Sequence, residues 1–161
     1  MRSTDAFMKR LNPDMCVVTA VADGERAGCL VGFWAQCSIE PLRLTVWISK
    51  ANRTCRVARR AERLVVHLLT PEQHGLAALF GGETGDRTDK FAGVDWREGP
   101  GGSVVLTGAA AWTVGLVEQR IDTGDHVAHV LAPERSGERP GVGGRLLRLE
   151  DALDIEPGHP A

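Results

Sequence analysis

The fold is decided by the stretch Met15-Cys-Val-Val-Thr-Ala-Val-Ala22, followed by Asp23-Gly24 and then by Ala27-Gly-Cys-Leu-Val-Gly-Phe-Trp-Ala35. The first run is apolar and rich in β-branched residues, and this pattern predicts a buried β-strand. Asp-Gly is a favoured two-residue hairpin turn, so the second run is predicted to be the antiparallel partner of the first. The core of the protein therefore begins with a β-hairpin.

A second clear strand lies at residues 43–49, where apolar and polar side chains alternate. The two faces of this strand carry Leu44, Val46 and Ile48 on one side, and Thr45, Trp47 and Ser49 on the other. Further strands are predicted at residues 64–69, 103–106, 109–120, 126–132 and 146–149. Helices are predicted at 52–63 and 71–82, and long loops at 82–102 and 134–144.

These elements predict a mainly β domain, α+β overall, with about seven antiparallel strands and two short inserted helices. Strands in this number lose their exposed edges best by closing into a barrel. We expect a single domain over residues 1–161, with its core at about 7–149 and a C-terminal tail at 150–161. The loop at 82–102 is long for a small domain, and we expect it to cover a site.

The composition excludes several classes of function. The net charge of −2 provides no field that would attract nucleic acid or an anionic membrane. No apolar segment approaches the length of a membrane span, and the first residues do not resemble a signal peptide. The 19 glycines suit tight turns and the close approach of a flat ligand to the backbone. We therefore expect a soluble, cytoplasmic protein with no nucleic-acid or membrane partner.

The cysteine and histidine positions argue against disulfides and against a metal site. Cys16, Cys29, Cys37 and Cys55 form no Cys-x-x-Cys pair, and most of them adjoin apolar runs, so reduced and mostly buried thiols are expected. A reactive thiol at Cys37 or Cys55 remains the alternative. His126 and His129 are three residues apart on a predicted strand, so they face opposite sides and cannot share a metal ion.

Three segments in order resemble the flavin reductase-like family, whose fold is the FMN-binding split barrel. They are the strand–turn–strand stretch at residues 17–41, the segment Ser49-Lys-Ala-Asn-Arg-Thr54, and Gly124-Asp-His126. Lys90-Phe-Ala-Gly93 is a weaker fourth match. Together they span the chain from about Phe7 to Leu149, and the resemblance implies a split barrel that binds flavin.

The resemblance implies a flavin site formed by two segments and one loop residue. These are Phe33, Trp34, Ala35, Gln36, Cys37 and Ser38; then Lys50, Ala51, Asn52, Arg53 and Thr54; and Phe91 in the long loop. Many members carry flavin-bonding hydroxyls where this chain has Leu30 and Gly32, so the ring is expected to rest on backbone groups and Gln36. Thr54, at a helix start, would bind a flavin phosphate with its hydroxyl and the first-turn N–H groups.

The resemblance also implies the reaction. FMN or FAD would be reduced by NAD(P)H, with His126 shaping the nicotinamide pocket as the catalytic residue. Such hydride transfer needs little side-chain acid–base chemistry, because the two cofactor rings carry the reaction. Many family members supply reduced flavin to a separate monooxygenase, so such a partner is implied here. A homodimer is expected on other grounds, because small antiparallel barrels with ligand grooves commonly pair.

Simpler roles remain open for several of these residues. Asn52 or Thr54 caps its own helix in one alternative, and Phe33 and Trp34 pack in the core. The arginines of residues 53–63 form either a solvated face or a second phosphate site. His67 is expected to be a hydrogen-bonded core histidine. At the level of function, the alternatives are a flavin-binding or sensing protein that does not reduce flavin, and a deazaflavin-dependent oxidoreductase.

Overall fold

The computed structural model describes residues 4–84 and 89–158. The strands in these ranges are β1 Cys16–Ala22, β2 Glu25–Val31, β3 Trp34–Ser38, β4 Arg43–Ser49, β5 Arg63–Leu68, β6 Trp96–Glu98, β7 Val104–Leu106, β8 Ala111–Asp122 and β9 His126–Glu138. The α-helices are α1 Asp5–Met8, α2 Arg53–Ala58 and α3 His74–Gly82. Short 3₁₀ turns lie at Pro71–Gln73, Lys90–Gly93, Pro100–Gly102 and Leu149–Ala152. Parts of the predicted 82–102 loop, of the predicted tail and of the 1–161 domain lie outside the described residues.

Seven of the strands form one antiparallel sheet in the order β2-β1-β5-β8-β9-β4-β3. Its two edge strands, β2 and β3, follow one another through Gly32 and Phe33, so the sheet returns on itself and is split between them. The Trp47 amide donates to the Phe33 carbonyl at 2.9 Å, which ties this junction to β4. The predicted mainly β fold with seven antiparallel strands and short helices is confirmed.

Strand β1 is buried on both faces. Cys16, Val18 and Ala20 belong to the cluster that fills the barrel, together with Val46 and Ile48 of β4. The opposite face of β1 packs in a second cluster, which α3 covers from outside the barrel. A strand buried on both sides reads as a continuous apolar run, which is the pattern of residues 15–22. Its turn is also as predicted, because Asp23 and Gly24 both have positive φ.

The predicted strand at residues 27–35 is in fact two strands. Val31 pairs with Cys16, the first residue of β1, and beyond that point β1 offers no partner. The chain turns at Gly32, and Trp34 pairs with Val46 of β4 instead. Within this single apolar run, the chain therefore changes its pairing partner from β1 to β4.

Two predictions near the C-terminus are wrong. Strand β9 continues to Glu138, into the predicted loop, because its polar end pairs with Ala111 at the start of β8. The predicted last strand is only an isolated bridge between Asp14 and Arg148, followed by a 3₁₀ turn.

Strand β6, three residues long, lies in the predicted 82–102 loop and pairs with β7. This strand is too short and too polar to show the alternation of apolar and polar residues that predicts a strand.

His67 is the predicted core histidine. It is fully buried, its Nδ1 donates to the Val17 carbonyl at 3.0 Å, and its Nε2 accepts from the Leu106 amide at 2.9 Å. These two bonds fix the neutral ring and join β5 to β1 and β7. Burial lowers the pKa of His67 to about 4.

His129 is the second buried histidine and faces the barrel interior. Its Nδ1 lies 3.1 Å from the Val127 carbonyl, and its Nε2 has no hydrogen-bond partner in the part of the chain that the structure describes. Burial, together with the charge of Arg120, lowers the pKa of His129 to about 4. The barrel therefore contains an imidazole that is held neutral at physiological pH.

The cysteines follow the prediction of free, mostly buried thiols. Cys16, Cys29 and Cys55 are buried and Cys37 is exposed. Burial raises the pKa of the Cys29 thiol to about 11, so it is protonated at neutral pH. None of the described helices is both long and apolar enough to span a bilayer.

Candidate functional site

A cavity of about 320 Å³ lies against the outer wall of the barrel. Its lining comes from the junction between β2 and β3, from the end of β4, from the start of α2 and from the start of β9. The residues that carry the argument below are Leu30, Phe33, Trp47, Ser49, Asn52 and His126. Mostly apolar walls with a few polar groups are typical of small-molecule sites.

The alternation of β4 places two of these residues. Val46 and Ile48 point into the barrel, so Trp47 and Ser49 point outward into the cavity. Ser49 pairs directly with His126 across the ladder between β4 and β9. The separation of the two faces of this strand was predicted correctly, but Trp47 and Ser49 were not among the predicted site residues.

Phe33 and His126 form one corner of the cavity. Their ring centroids are 4.9 Å apart with an interplanar angle of 50°. Phe33 is 54% exposed. His126 Nδ1 lies 2.7 Å from a carboxylate oxygen of Asp125. This hydrogen bond, with the charge of His126, lowers the pKa of Asp125.

The start of α2 contributes Asn52 to the cavity. The Asn52 side chain accepts from the Thr54 amide at 3.0 Å, so Asn52 caps its own helix, as the simpler alternative holds. Thr54 is buried and its hydroxyl hydrogen-bonds to Cys29, so that hydroxyl faces the core. Phosphate binding at this helix start was predicted from the first-turn N–H groups together with the Thr54 hydroxyl; that hydroxyl is engaged with Cys29, and the phosphate site stays a prediction.

The predicted basic residues around α2 are engaged with neighbouring groups. Lys50 pairs with Asp122 at 2.6 Å, Arg53 donates to the Arg26 carbonyl at 3.0 Å, and Arg60 pairs with Asp23. Arg63 pairs with Glu134. Ala51, the remaining predicted residue of this segment, is exposed. These pairs favour the solvated, charge-balanced face over a second phosphate site.

The rest of the first predicted segment lies elsewhere. Trp34 packs against the barrel cluster, and its indole N–H donates to the Asp14 carbonyl at 2.7 Å. Ala35 is exposed, and Gln36, Cys37 and Ser38 line a separate shallow depression. Of residues 33–38, only Phe33 therefore reaches the cavity, because Trp34 turns inward where β3 begins.

Phe91 lies in the core instead of closing over the site. It is 6% exposed, with ring centroids 5.6 Å from Phe80 and 6.5 Å from Trp96. The neighbouring Lys90 is also buried, and its ammonium group donates to the carbonyls of Gly28 (2.8 Å) and Phe80 (3.0 Å). Burial lowers the pKa of Lys90. This lysine thus holds the end of α3 against β2.

Part of the cavity wall comes from residues that were predicted to be a tail. Ala152, Ile155 and Pro157 of the predicted tail line it, together with Leu149 from the end of the predicted last strand. Their sequence has no alternation or motif that would indicate a site, and only the folded chain brings them there. Leu30 and Gly32, where family members carry hydroxyls, line the cavity as well.

The fold described above is that of flavin reductases. The crystal structure of nitrilotriacetate monooxygenase component B from Mycobacterium thermoresistibile superposes with a TM-score of 0.78 at 26% identity, covering 88% of this chain and 78% of that one. The model of the flavin reductase like domain matches residues 8–150. The chain belongs to the flavin reductase-like family, which confirms the resemblance drawn from the sequence and makes it a flavin reductase domain.

Two relatives of known name also identify this family. The chain is 33% identical over 143 residues to the reductase subunit HsaB of a flavin-dependent monooxygenase from Mycobacterium tuberculosis, which is 88% of this chain and 75% of that protein. It is 34% identical over 110 residues to HsaB of Rhodococcus jostii, covering 68% of this chain and 55% of the relative. Both relatives are named as reductase subunits.

Proposed function

We propose that the cavity beside Phe33 and His126 binds the ring of FMN or FAD, and that NAD(P)H reduces the flavin there. The observation that carries this proposal is the lining, in which the aromatic rings of Phe33 and Trp47 lie near the polar groups of Ser49, Asn52 and His126. Flat aromatic ligands stack on such rings, while a few polar groups fix their orientation.

The cavity residues fit a flavin in size and in chemistry. A volume of about 320 Å³ lies at the lower end of the range of roughly 300–1,000 Å³ for small-molecule pockets. Ser49 and Asn52 offer hydrogen-bonding groups, and Leu30 and Val31 offer apolar wall. A bound flavin would supply a ring that accepts two electrons as hydride from the nicotinamide. The protein would bind the ring between these walls.

His126 is proposed to orient the nicotinamide. Asp125 holds its Nδ1, and the ring contact with Phe33 limits rotation of the imidazole. With Nδ1 so engaged, Nε2 is the nitrogen left to face a ligand in the cavity that His126 lines. A positioned ring of this kind acts on the geometry of transfer, since the cofactor rings carry the electrons.

The proposed partners follow from the relatives and from the surface. Two relatives are reductase subunits of flavin-dependent monooxygenases, which supports a monooxygenase that consumes the reduced flavin. Ile39 is 83% exposed and Leu42 is 47% exposed at the turn between β3 and β4, which supports a homodimer through this region. Free thiols at all four cysteines are in keeping with a cytoplasmic location.

Anaerobic mixing tests the reductase activity directly. Purified protein with FMN or FAD should bleach the visible flavin absorbance on addition of NADH or NADPH, far faster than the same mixture without protein. Flavin that binds and stays oxidised would favour the non-reducing binder, an outcome to which the missing hydroxyls at Leu30 and Gly32 lend some weight. No binding of either flavin would contradict the proposal.

Replacing His126 separates positioning from binding. His126→Ala should slow hydride transfer by about tenfold, or ~1.4 kcal/mol of transition-state stabilisation, while flavin affinity changes little. Stopped-flow reduction and flavin fluorescence titration measure the two quantities separately. Asp125→Asn keeps the imidazole but weakens its anchor, and should give a smaller loss. Equal losses of rate and affinity in His126→Ala, or no loss, would refute the assignment.

A further inference from the structure

The N-terminal arm, residues 4–11, exposes a row of apolar side chains. Phe7 is 67% exposed, Met8 is 53% exposed and Leu11 is 46% exposed. Leu11 follows Phe7 by four residues and Met8 by three, so in the helical turns of this segment the three side chains lie on one face. None of the residues of α1 is buried. The arm therefore carries an apolar face that the described residues of its own chain leave uncovered.

An open apolar cavity of about 520 Å³, the end cavity, lies at one end of the barrel and shares no lining residue with the proposed flavin site. It is bounded by the starts of β3, β4 and β8 and by the ends of β5 and β9. Its floor includes Val66 of the barrel cluster, and its walls include four half-buried apolar side chains: Trp34, Leu44, Leu68 and Trp112. Apolar surface of this extent, left open to solvent, is typical of sites that bind another protein.

The arm leaves the barrel beside the end cavity. The indole N–H of Trp34, which lines the cavity, donates to the carbonyl of Asp14, just beyond the arm, at 2.7 Å. Asp14 also forms the isolated bridge with Arg148, so the base of the arm is fixed at the rim. Leu44 of the lining lies two residues from Leu42, whose exposed side chain belongs to the surface proposed above for the homodimer. The end cavity therefore continues that surface.

The charges of the arm and of the end cavity are complementary. Lys9 and Arg10 directly follow the apolar pair Phe7 and Met8, and both are exposed. Glu138 is the one charged residue among the described residues that line the cavity, and it is exposed as well. Such a pairing fixes the orientation of two surfaces more than it adds to their affinity.

We propose that the arm of one copy docks in the end cavity of a second copy, so that the homodimer forms by an exchange of arms. The inference rests on the proposed function for its homodimer only and does not involve the flavin cavity. Each chain carries both an arm and an end cavity, so a two-fold axis makes the contact twice. The exchange covers the apolar face of the arm and the walls of the cavity together, and it brings Lys9 and Arg10 to Glu138.

Two variants at exposed positions test the exchange. Phe7→Ser with Leu11→Ser removes most of the apolar face of the arm, and Ser136→Arg places a cation in the end cavity that repels the basic residues of the arm. Each should raise the dissociation constant of the homodimer by about a hundredfold, because one buried apolar side chain is lost from each of two arms. Sedimentation of a dilution series under reducing conditions measures it. Leu153→Ser, at an apolar residue that is 75% exposed outside both surfaces, is the matched control and should leave the constant unchanged.

Mixing the two variants separates an exchange from docking of each arm in its own end cavity. The mixed dimer retains one intact arm that faces one intact cavity, so the two variants should associate more tightly with each other than either does with itself. Titration of one variant into the other, fluorescently labelled, measures this gain. No gain on mixing, or an unchanged dissociation constant in both variants, would overturn the proposal.

A variant of the turn between β3 and β4 distinguishes this inference from the proposed homodimer. If Ile39→Ser weakens the dimer and the arm variant does not, the turn alone joins the two copies and only the exchange is wrong. A wild-type protein that stays monomeric at every concentration would refute the homodimer itself, and the exchange with it.

Discussion

Acidification from pH 7 toward pH 4 should lower the free energy of unfolding by about 3 kcal/mol for each of His67 and His129. Burial lowers the pKa of both imidazoles from 6.5 to about 4 in the folded protein. Unfolding releases them into water, where their ordinary pKa returns. The two residues lie in different hydrogen-bonded settings, so their contributions should be roughly additive.

The direction follows from which state binds more protons. Below pH 6.5 the unfolded chain takes up protons at both sites, whereas the folded protein resists until the pH approaches 4. Stability is therefore fully present above pH 6.5 and falls as the pH decreases from 6.5 to 4. Carboxylates paired in the native state, such as Asp151 beside Arg145, add their own losses at lower pH.

Urea unfolding at pH 7.0, 6.0, 5.0 and 4.5 measures this slope. His129→Leu removes one of the two groups, together with a buried Nε2 atom that has no partner among the described residues, and should retain about half of the slope. Leu153→Ala, at an exposed site without a titratable group, serves as the control and should leave the slope between pH 6.5 and 4.5 intact. A wild-type slope that His129→Leu does not reduce would show that the His129 ring is charged in the folded protein.

Replacing Lys90 by methionine should destabilise the protein by about 2–4 kcal/mol, because two buried carbonyls lose their donor. These carbonyls belong to Gly28 and Phe80. Methionine fills a similar volume, so the loss reports the hydrogen bonds more than a cavity. Chemical denaturation at neutral pH measures it.

The same variant should also weaken flavin binding. Gly28 precedes Cys29 in β2, and Phe80 precedes Gly81 in α3, and both following residues line the cavity. Without the hydrogen bonds of Lys90, β2 and α3 lose their fixed separation at the cavity. The Michaelis constant for flavin should therefore rise more than the maximal rate falls. Lys9→Met, at an exposed lysine, is the matched control and should change neither quantity. A stable Lys90→Met protein with unchanged kinetics would contradict this role of Lys90.

Much of the barrel could be predicted from local patterns. The alternation at residues 43–49 separates the two faces of β4 correctly, and Asp23-Gly24 predicts the first turn. His67 was recognisable because a polar ring inside an apolar run must find partners there. In each case the determining information lies within a few residues of the feature.

The site was less predictable because its geometry depends on pairing over long distances. Whether Trp34 points outward depends on where β2 leaves β1 and β3 joins β4, and an unbroken apolar run conceals that change of partner. Phe91 was assigned to a lid because a long loop suggested one, yet two other aromatic rings bury it. Ile155 lies at the cavity beside Gly81 of α3, and no local sequence pattern predicts this contact.

Strand β4 has a consequence for how this protein can change over evolutionary time. Its even-numbered residues, such as Val46 and Ile48, fill the barrel, whereas Trp47 and Ser49 line the cavity. One short segment thus supplies the barrel core and the proposed flavin site on alternate residues. Substitutions at Trp47 and Ser49 leave Val46 and Ile48 in place, so a lineage of such barrels can diversify in ligand preference while its interior stays under a separate and stricter constraint.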